Sequence, residues 1–158
     1  MTDLDYMELA IEQAKIAASL GEVPVGAVIV KNDSIVATAY NRRELDKNAL
    51  AHAELLAIDR ACKRLGGWRL FGCTLYVTLE PCPMCTGAII NSRIDRVVYG
   101  ALDPKAGSCE SVIPLTEFPY NHKPILEGGL LQQECSQLLS DFFQQLRKKK
   151  LKKTSYKK

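Results

Sequence analysis

No apolar run in this chain approaches the roughly 20 residues that a membrane-spanning helix requires. The opening residues, Met-Thr-Asp-Leu-Asp-Tyr, are polar and acidic and do not resemble a secretory or organellar targeting segment. There is no internal repeat and no sign of a second domain. Nothing accompanies the six cysteines that would mark a small secreted disulfide scaffold; Cys62, Cys73, Cys109 and Cys135 are scattered singly. Acidic residues are absent from Arg147 to the end. Together these absences predict a cytoplasmic protein without a membrane span. What is present fits that reading: hydrophobic residues make up 47% and charged residues 25% of 158, ordinary for one compact globular domain and not for a disordered chain.

The net charge of +3 conceals an asymmetry. Eight Lys/Arg lie from Arg147 onward, which leaves 13 basic and 18 acidic residues in 1–146. The body is therefore about −5 and the tail +8. A basic tail on an acidic body fits a polyanion such as nucleic acid, and fits equally a solubilising, frayed end.

Apolar periodicity predicts a helix over 6–20 ended by Gly21, a buried strand over 23–30, and a turn at 31–34 leading into a pairing strand over 35–40. A polar loop over 41–50 precedes a helix over 51–65 that Gly66-Gly67 stops. Strands follow over 73–79 and 96–99, with a helix from Pro83 to about Asn91 between them. Residues 101–123, with Pro104, Gly107, Pro114 and Pro119, read as irregular. A short strand at Ile125-Leu126 and a long helix from Leu130 to about Leu151 close the chain. Strands alternating with helices predict an α/β fold, a three-layer α/β/α sandwich around a central mixed five-stranded sheet.

Two short segments carry chemistry. Residues 52–54 read His-Ala-Glu and residues 81–85 read Pro-Cys-Pro-Met-Cys. Cys82 and Cys85 share one face of a helix start, where the helix dipole favours thiolates. His52 also stands near a helix start, so two helix N-termini can converge on one Zn²⁺. Three protein ligands leave a position open for water, as in catalytic rather than structural zinc sites. Glu54 can take a proton from that water and pass protons to a ring nitrogen and to departing ammonia, which is hydrolytic deamination. A lone Cys-x-x-Cys is often a structural or redox pair, but His-x-Glu followed by Pro-Cys-x-x-Cys is the signature of zinc nucleobase deaminases.

Beyond that signature the chain resembles the bacterial tRNA-specific adenosine deaminases. The likeness lies in Gly21 to Val28, Ala51 to Glu54, Trp68-Arg69-Leu70, Thr74 to Cys85, Ser92-Arg93-Ile94 and Arg96 to Ala101. It continues through Asp103-Pro104-Lys105, Asn121-His122 and Leu139 to Phe143. The resemblance implies a cytidine deaminase-like fold, a zinc-dependent deaminase domain over 1–146 and a basic helix end and tail over 147–158. It implies one zinc per subunit on His52, Cys82 and Cys85, with Glu54 as proton shuttle. The implied reaction is adenosine to inosine at wobble position 34 of tRNA, with tRNA-Arg bearing an ACG anticodon as the expected substrate. Asn41 is the implied base contact, its amide able to donate and accept. Asp103, Lys105, Asn121, His122, Phe143 and Arg147 match positions on the RNA side of the family's pocket. Of Phe142 and Phe143, one is expected in the core and one toward the substrate, and Arg147 reads as a phosphate contact. The implied partners are the tRNA anticodon stem-loop and a second copy of the chain, as a homodimer. One stretch departs from the family pattern: Glu110-Ser111 stands where Gly-Ser is usual, and Pro114 and Pro119 disfavour the short helix expected there.

Two other readings use the same residues. One is a deaminase of a free base or nucleoside, cytidine or guanine. The other is a non-catalytic, zinc-stabilised RNA-binding protein, which has no structural need for Glu54 or an open ligand position.

Overall fold

The computed structural model describes residues 1–156, with side chains described through residue 153. Helix α1 (Asp3–Ser19) starts ahead of Tyr6, where the apolar pattern begins, because Thr2 and Asp5 close a capping box. The Asp5 carboxylate accepts the Thr2 N–H at 2.7 Å, and the Thr2 hydroxyl accepts the Asp5 N–H at 3.3 Å. Strand β1 (Gly26–Lys31) begins later than the apolar run at Val23 suggests. A tight turn from the Val25 N–H to the Val23 carbonyl precedes it, and α1 crosses at Gly26, where a Cβ would lie 2.0 Å from the Ala10 carbonyl oxygen. Strand β2 (Ser34–Tyr40) returns through Asn32 and Asp33, both at positive φ (50° and 59°), as a twisted two-residue hairpin demands.

Helix α2 (Ala53–Leu65), strand β3 (Cys73–Leu79), helix α3 (Pro83–Asn91) and strand β4 (Arg96–Ala101) follow. The irregular stretch after β4 contains a single 3₁₀ turn at Leu115–Glu117 before strand β5 (Ile125–Gly128). Helix α4 (Gln132–Tyr156) starts two residues inside the expected boundary, because Leu131 takes a left-handed φ of 51°. It runs past Leu151, since lysine is a good helix former wherever packing does not decide. The last two lysines of the expected tail, Lys157 and Lys158, lie outside the described residues. Among the described residues no helix is long and apolar enough to cross a membrane.

The sheet order is β2-β1-β3-β4-β5. Strand β1 is antiparallel to β2 and β3, whereas β3-β4 and β4-β5 are parallel, so the five-stranded sheet is mixed. Two cores bury its two faces. Ala27, Ile29, Leu75, Val77 and Val97 pack with Ala53, Ala57 and Ala61 of α2 and Ile89 of α3. Val28, Val30, Tyr76 and Val98 pack with Met7, Ala10 and Ile11 of α1 and Cys135 of α4. This is a three-layer α/β/α sandwich, as the alternation of strands and helices predicts. The register sets where chemistry can sit: the start of β1 and the ends of β2, β3 and β4 all fall at one end of the sheet. Helices α2 and α3 begin just beyond that end.

Candidate active site

Each zinc-competent residue occupies a helix start that the strand before it delivers. His52 is the N-cap of α2 and Cys82 the N-cap of α3; neither side chain makes a capping hydrogen bond, so both are free for other work. Pro83 fills the first position of α3 and Cys85 lies one turn in from Cys82. The α2 cap comes instead from across the loop: the Asn41 side-chain carbonyl accepts the Ala53 N–H at 2.8 Å.

His52, Cys82 and Cys85 form the one group of three metal-competent side chains among the described residues, their ligand atoms all within 4.8 Å of one another. A tetrahedral zinc, with Zn–N about 2.0–2.1 Å and Zn–S about 2.3 Å, sets an N···S edge of roughly 3.5 Å. The His52 Nδ1 lies 3.7 Å from the Cys82 Sγ and 3.5 Å from the Cys85 Sγ. Spacing and donor set therefore both fit zinc. The neighbouring Cys85 thiol draws Cys82 down to about 4, against the opposing effect of burial and with help from His52. Cys82 is thus the readier thiolate, while the contact with Cys82 and burial push Cys85 far up. His52 is raised, chiefly by its contact with Cys82. Glu54, in the first turn of α2 and 4% exposed, is raised by burial above the usual carboxylate range, the direction that suits a group moving protons near neutral pH.

A cavity of about 480 Å³ opens onto this cluster, within the size of small-ligand clefts. His52, Glu54 and Cys82 line it with Asn41, between apolar Val23, Val25 and Leu79. Asp103, Lys105 and Phe143 also line it. The Asp103 carboxylate accepts the N–H groups of Lys105 (3.0 Å) and Ala106 (3.2 Å), so one of its oxygens is spent on shaping the turn. Phe143 faces this cavity, whereas Phe142 turns toward α1 beside Ala18 and Gly21. Leu139, Phe143 and Arg147 form one stripe of α4, and Arg147 continues it outward over a neighbouring surface groove. Asn121 and His122 are not among the cavity's lining residues. They precede Ile125, which pairs with Arg96 at the start of β4, and the His122 Nε2 contacts the Ile94 carbonyl at 2.6 Å. That is the opposite end of the sheet from Glu54, so a single chain does not bring these two residues to the cavity.

The hydrogen bond from the Ala53 N–H also orients the Asn41 amide in the cavity wall. Its carbonyl oxygen accepts the Ala53 N–H with one of two lone pairs, and its NH₂ is available to donate. Sequence reasoning also passed over Glu80, a carboxylate at 2% exposure in the wall of the cavity. An acidic residue ending an apolar strand, two residues ahead of a zinc-competent cysteine, was the available signal.

Residues 1–147 match the MafB19-like deaminase family. The tRNA-specific adenosine deaminase of Bacillus subtilis (strain 168) is 54% identical over 146 residues, covering 92% of this chain and 91% of that protein. Its counterpart from Aquifex aeolicus (strain VF5), of the same name, is 48% identical over 143 residues, covering 90% and 94%. A solved structure from studies of A-to-I editing by tRNA:A34 deaminases at the wobble position of transfer RNA superposes with a TM-score of 0.84 at 43% identity, covering 85% of this chain and 99% of that one.

Proposed function

The chain belongs to the tRNA-specific adenosine deaminases, within the MafB19-like deaminase family, and on that premise we propose that it converts adenosine to inosine at wobble position 34 of tRNA. The observation that carries the proposal is Glu54, buried in a cavity floor beside three side chains spaced for zinc. His52, Cys82 and Cys85 hold the metal, one per chain. When bound there, zinc supplies Lewis-acid chemistry that acidifies water, to a pKa near ~7 in catalytic sites.

The chain's own residues do the rest. Glu54 removes a proton from the attacking water and delivers protons to the purine ring nitrogen and to the leaving ammonia. Its burial raises the affinity for the proton it must hold between those steps. Asn41 donates from its NH₂ to an acceptor on the purine edge while its carbonyl keeps the start of α2 in place. Val23, Val25 and Leu79 keep bulk water from the base. Phe143 stacks at the mouth, and Arg147, one turn further along α4, meets a phosphate. The target base must leave the anticodon stack to enter, which costs less in a loop than in a duplex. The basic end of α4 strengthens binding to the stem-loop electrostatically. We assign the activity to a cytoplasmic homodimer.

The test uses zinc-loaded protein and tRNA-Arg carrying an ACG anticodon, with inosine read by sequencing or mass spectrometry. Free adenosine, cytidine and guanine run alongside. Inosine at the wobble position alone is expected. Ammonia release from a free base or nucleoside, without inosine in the tRNA, overturns the proposal in favour of a small substrate.

A further inference from the structure

Glu80 stands between the end of β3 and the Pro81-Cys82 turn, buried to 2% exposure. No Lys, Arg or His forms a salt bridge with it among the described residues. A buried carboxylate without a cation needs hydrogen bonds in its place, and here they all come from one loop. Its Oε1 accepts the Asp103 N–H at 3.1 Å and the Ser111 hydroxyl. Its Oε2 accepts the N–H groups of Cys109 at 3.1 Å, Glu110 at 2.9 Å and Ser111 at 2.9 Å. Three consecutive amides aimed at one oxygen form an anion nest. Gly107 lets the loop close over it: a Cβ there would lie 2.3 Å from the Glu80 Cδ.

Residues 103–111 contain no helix or strand, so no ladder of backbone bonds fixes them. Yet the segment carries Asp103 and Lys105 on the cavity wall. Glu80 joins this wall to the strand end that delivers Cys82. With five donors on roughly four lone-pair sites, it has no acceptor capacity left for a reacting group. The Glu110-Ser111 pair that stands where Gly-Ser is usual is also absorbed here: the Glu110 N–H and both the N–H and the hydroxyl of Ser111 bind Glu80.

We propose that Glu80 is a positioning residue: by collecting the amides of residues 103–111 it fixes the second wall of the cavity, and so sets how firmly RNA is engaged without entering the chemistry. The proposal rests on the RNA reading given above. Glu80→Gln replaces one acceptor oxygen with an NH₂ that points donors at donors.

The test combines amide hydrogen exchange with steady-state kinetics on an anticodon stem-loop, using zinc-loaded full-length protein. Glu80→Gln should speed exchange at Cys109, Glu110 and Ser111 by about tenfold or more, the scale set by losing one charge-assisted hydrogen bond. Zinc should stay at one per chain, KM should rise by a similar factor, and kcat should change by less than about threefold. Ser111→Ala removes only the hydroxyl donor and should move exchange and KM the same way by a smaller factor. Unchanged exchange and KM in Ser111→Ala overturns the proposal even if Glu80→Gln does not fold. Loss of zinc with a parallel fall in kcat in Glu80→Gln also overturns it, because Glu80 would then be part of the metal-site scaffold. If the wild type yields no inosine, the RNA reading falls on its own, and exchange rates alone decide whether Glu80 anchors the loop.

Discussion

Asn41 and Ala53 are joined by a 2.8 Å hydrogen bond in which the Asn41 side-chain carbonyl accepts the first amide of α2. One amide side chain thereby holds the helix start that carries His52 and Glu54, and aims its NH₂ at the cavity. The two roles separate by substitution. Asn41→Ala should lose both, with stability falling by about 1 kcal/mol as for other lost helix caps. Asn41→Asp keeps an acceptor for Ala53 but removes the donor, so it should melt near the wild type and still lose turnover. Thermal melts and inosine yields, read together, check this; full activity in Asn41→Asp would remove the base contact from the mechanism.

Glu54→Gln preserves shape and removes the proposed proton carrier. Turnover should fall by at least about 10²–10⁴-fold, the usual worth of a general acid–base group. Zinc content by mass spectrometry and RNA binding should be retained. A variant that keeps turnover would show that protons travel by another route.

Removal of zinc should act on folding as well as on activity, because the proposed ligands come from two separate helix starts. A strong chelator should lower the melting temperature and abolish inosine formation, with one equivalent of Zn²⁺ restoring both. Mg²⁺ should not, since two thiolates and an imidazole are poor ligands for a hard cation. Equal rescue by Mg²⁺ counts against the ligand set.

Ending the chain after Leu146 removes Arg147 and the lysines beyond it. RNA turnover should weaken and its logarithmic salt dependence should become shallower, by close to one for each lost phosphate contact. Identical turnover at every salt concentration would leave the basic helix end a solubilising face.

Asp3 links α1 to the sheet through Arg96 (2.7 Å) and the Tyr76 hydroxyl (2.6 Å), and Arg96 also pairs with Glu127. The Arg96 guanidinium, with Tyr76, holds the Asp3 carboxyl at about 2, below its ordinary value of 3.8. Because the folded value is the lower one, this contribution is complete above about pH 4 and disappears as pH falls toward 2. With 44% of the side chain exposed, solvent screening limits it to about 1 kcal/mol. Asp3→Asn should therefore lower stability at pH 7 and match the wild type near pH 2, as denaturant melts at both pH values can show.

What the sequence determined by itself is local. Two cysteines three apart at a helix start, a histidine two before a glutamate, and apolar periods of two and 3.6 are readable because neighbours in the chain are neighbours in space. They specified the elements, the alternation behind the three layers, and the three zinc-competent side chains. The tertiary structure decided what depends on sheet register and on backbone donors. His52 meets Cys82 only because antiparallel β1-β3 and β1-β2 pairing places the ends of β2 and β3 at one end of the sheet. The same register carries Asn121 and His122 to the opposite end, beside Ile94, although sequence similarity groups them with Lys105. Glu80 escaped notice because its partners are almost all backbone N–H groups, which every residue but proline possesses and no sequence pattern displays.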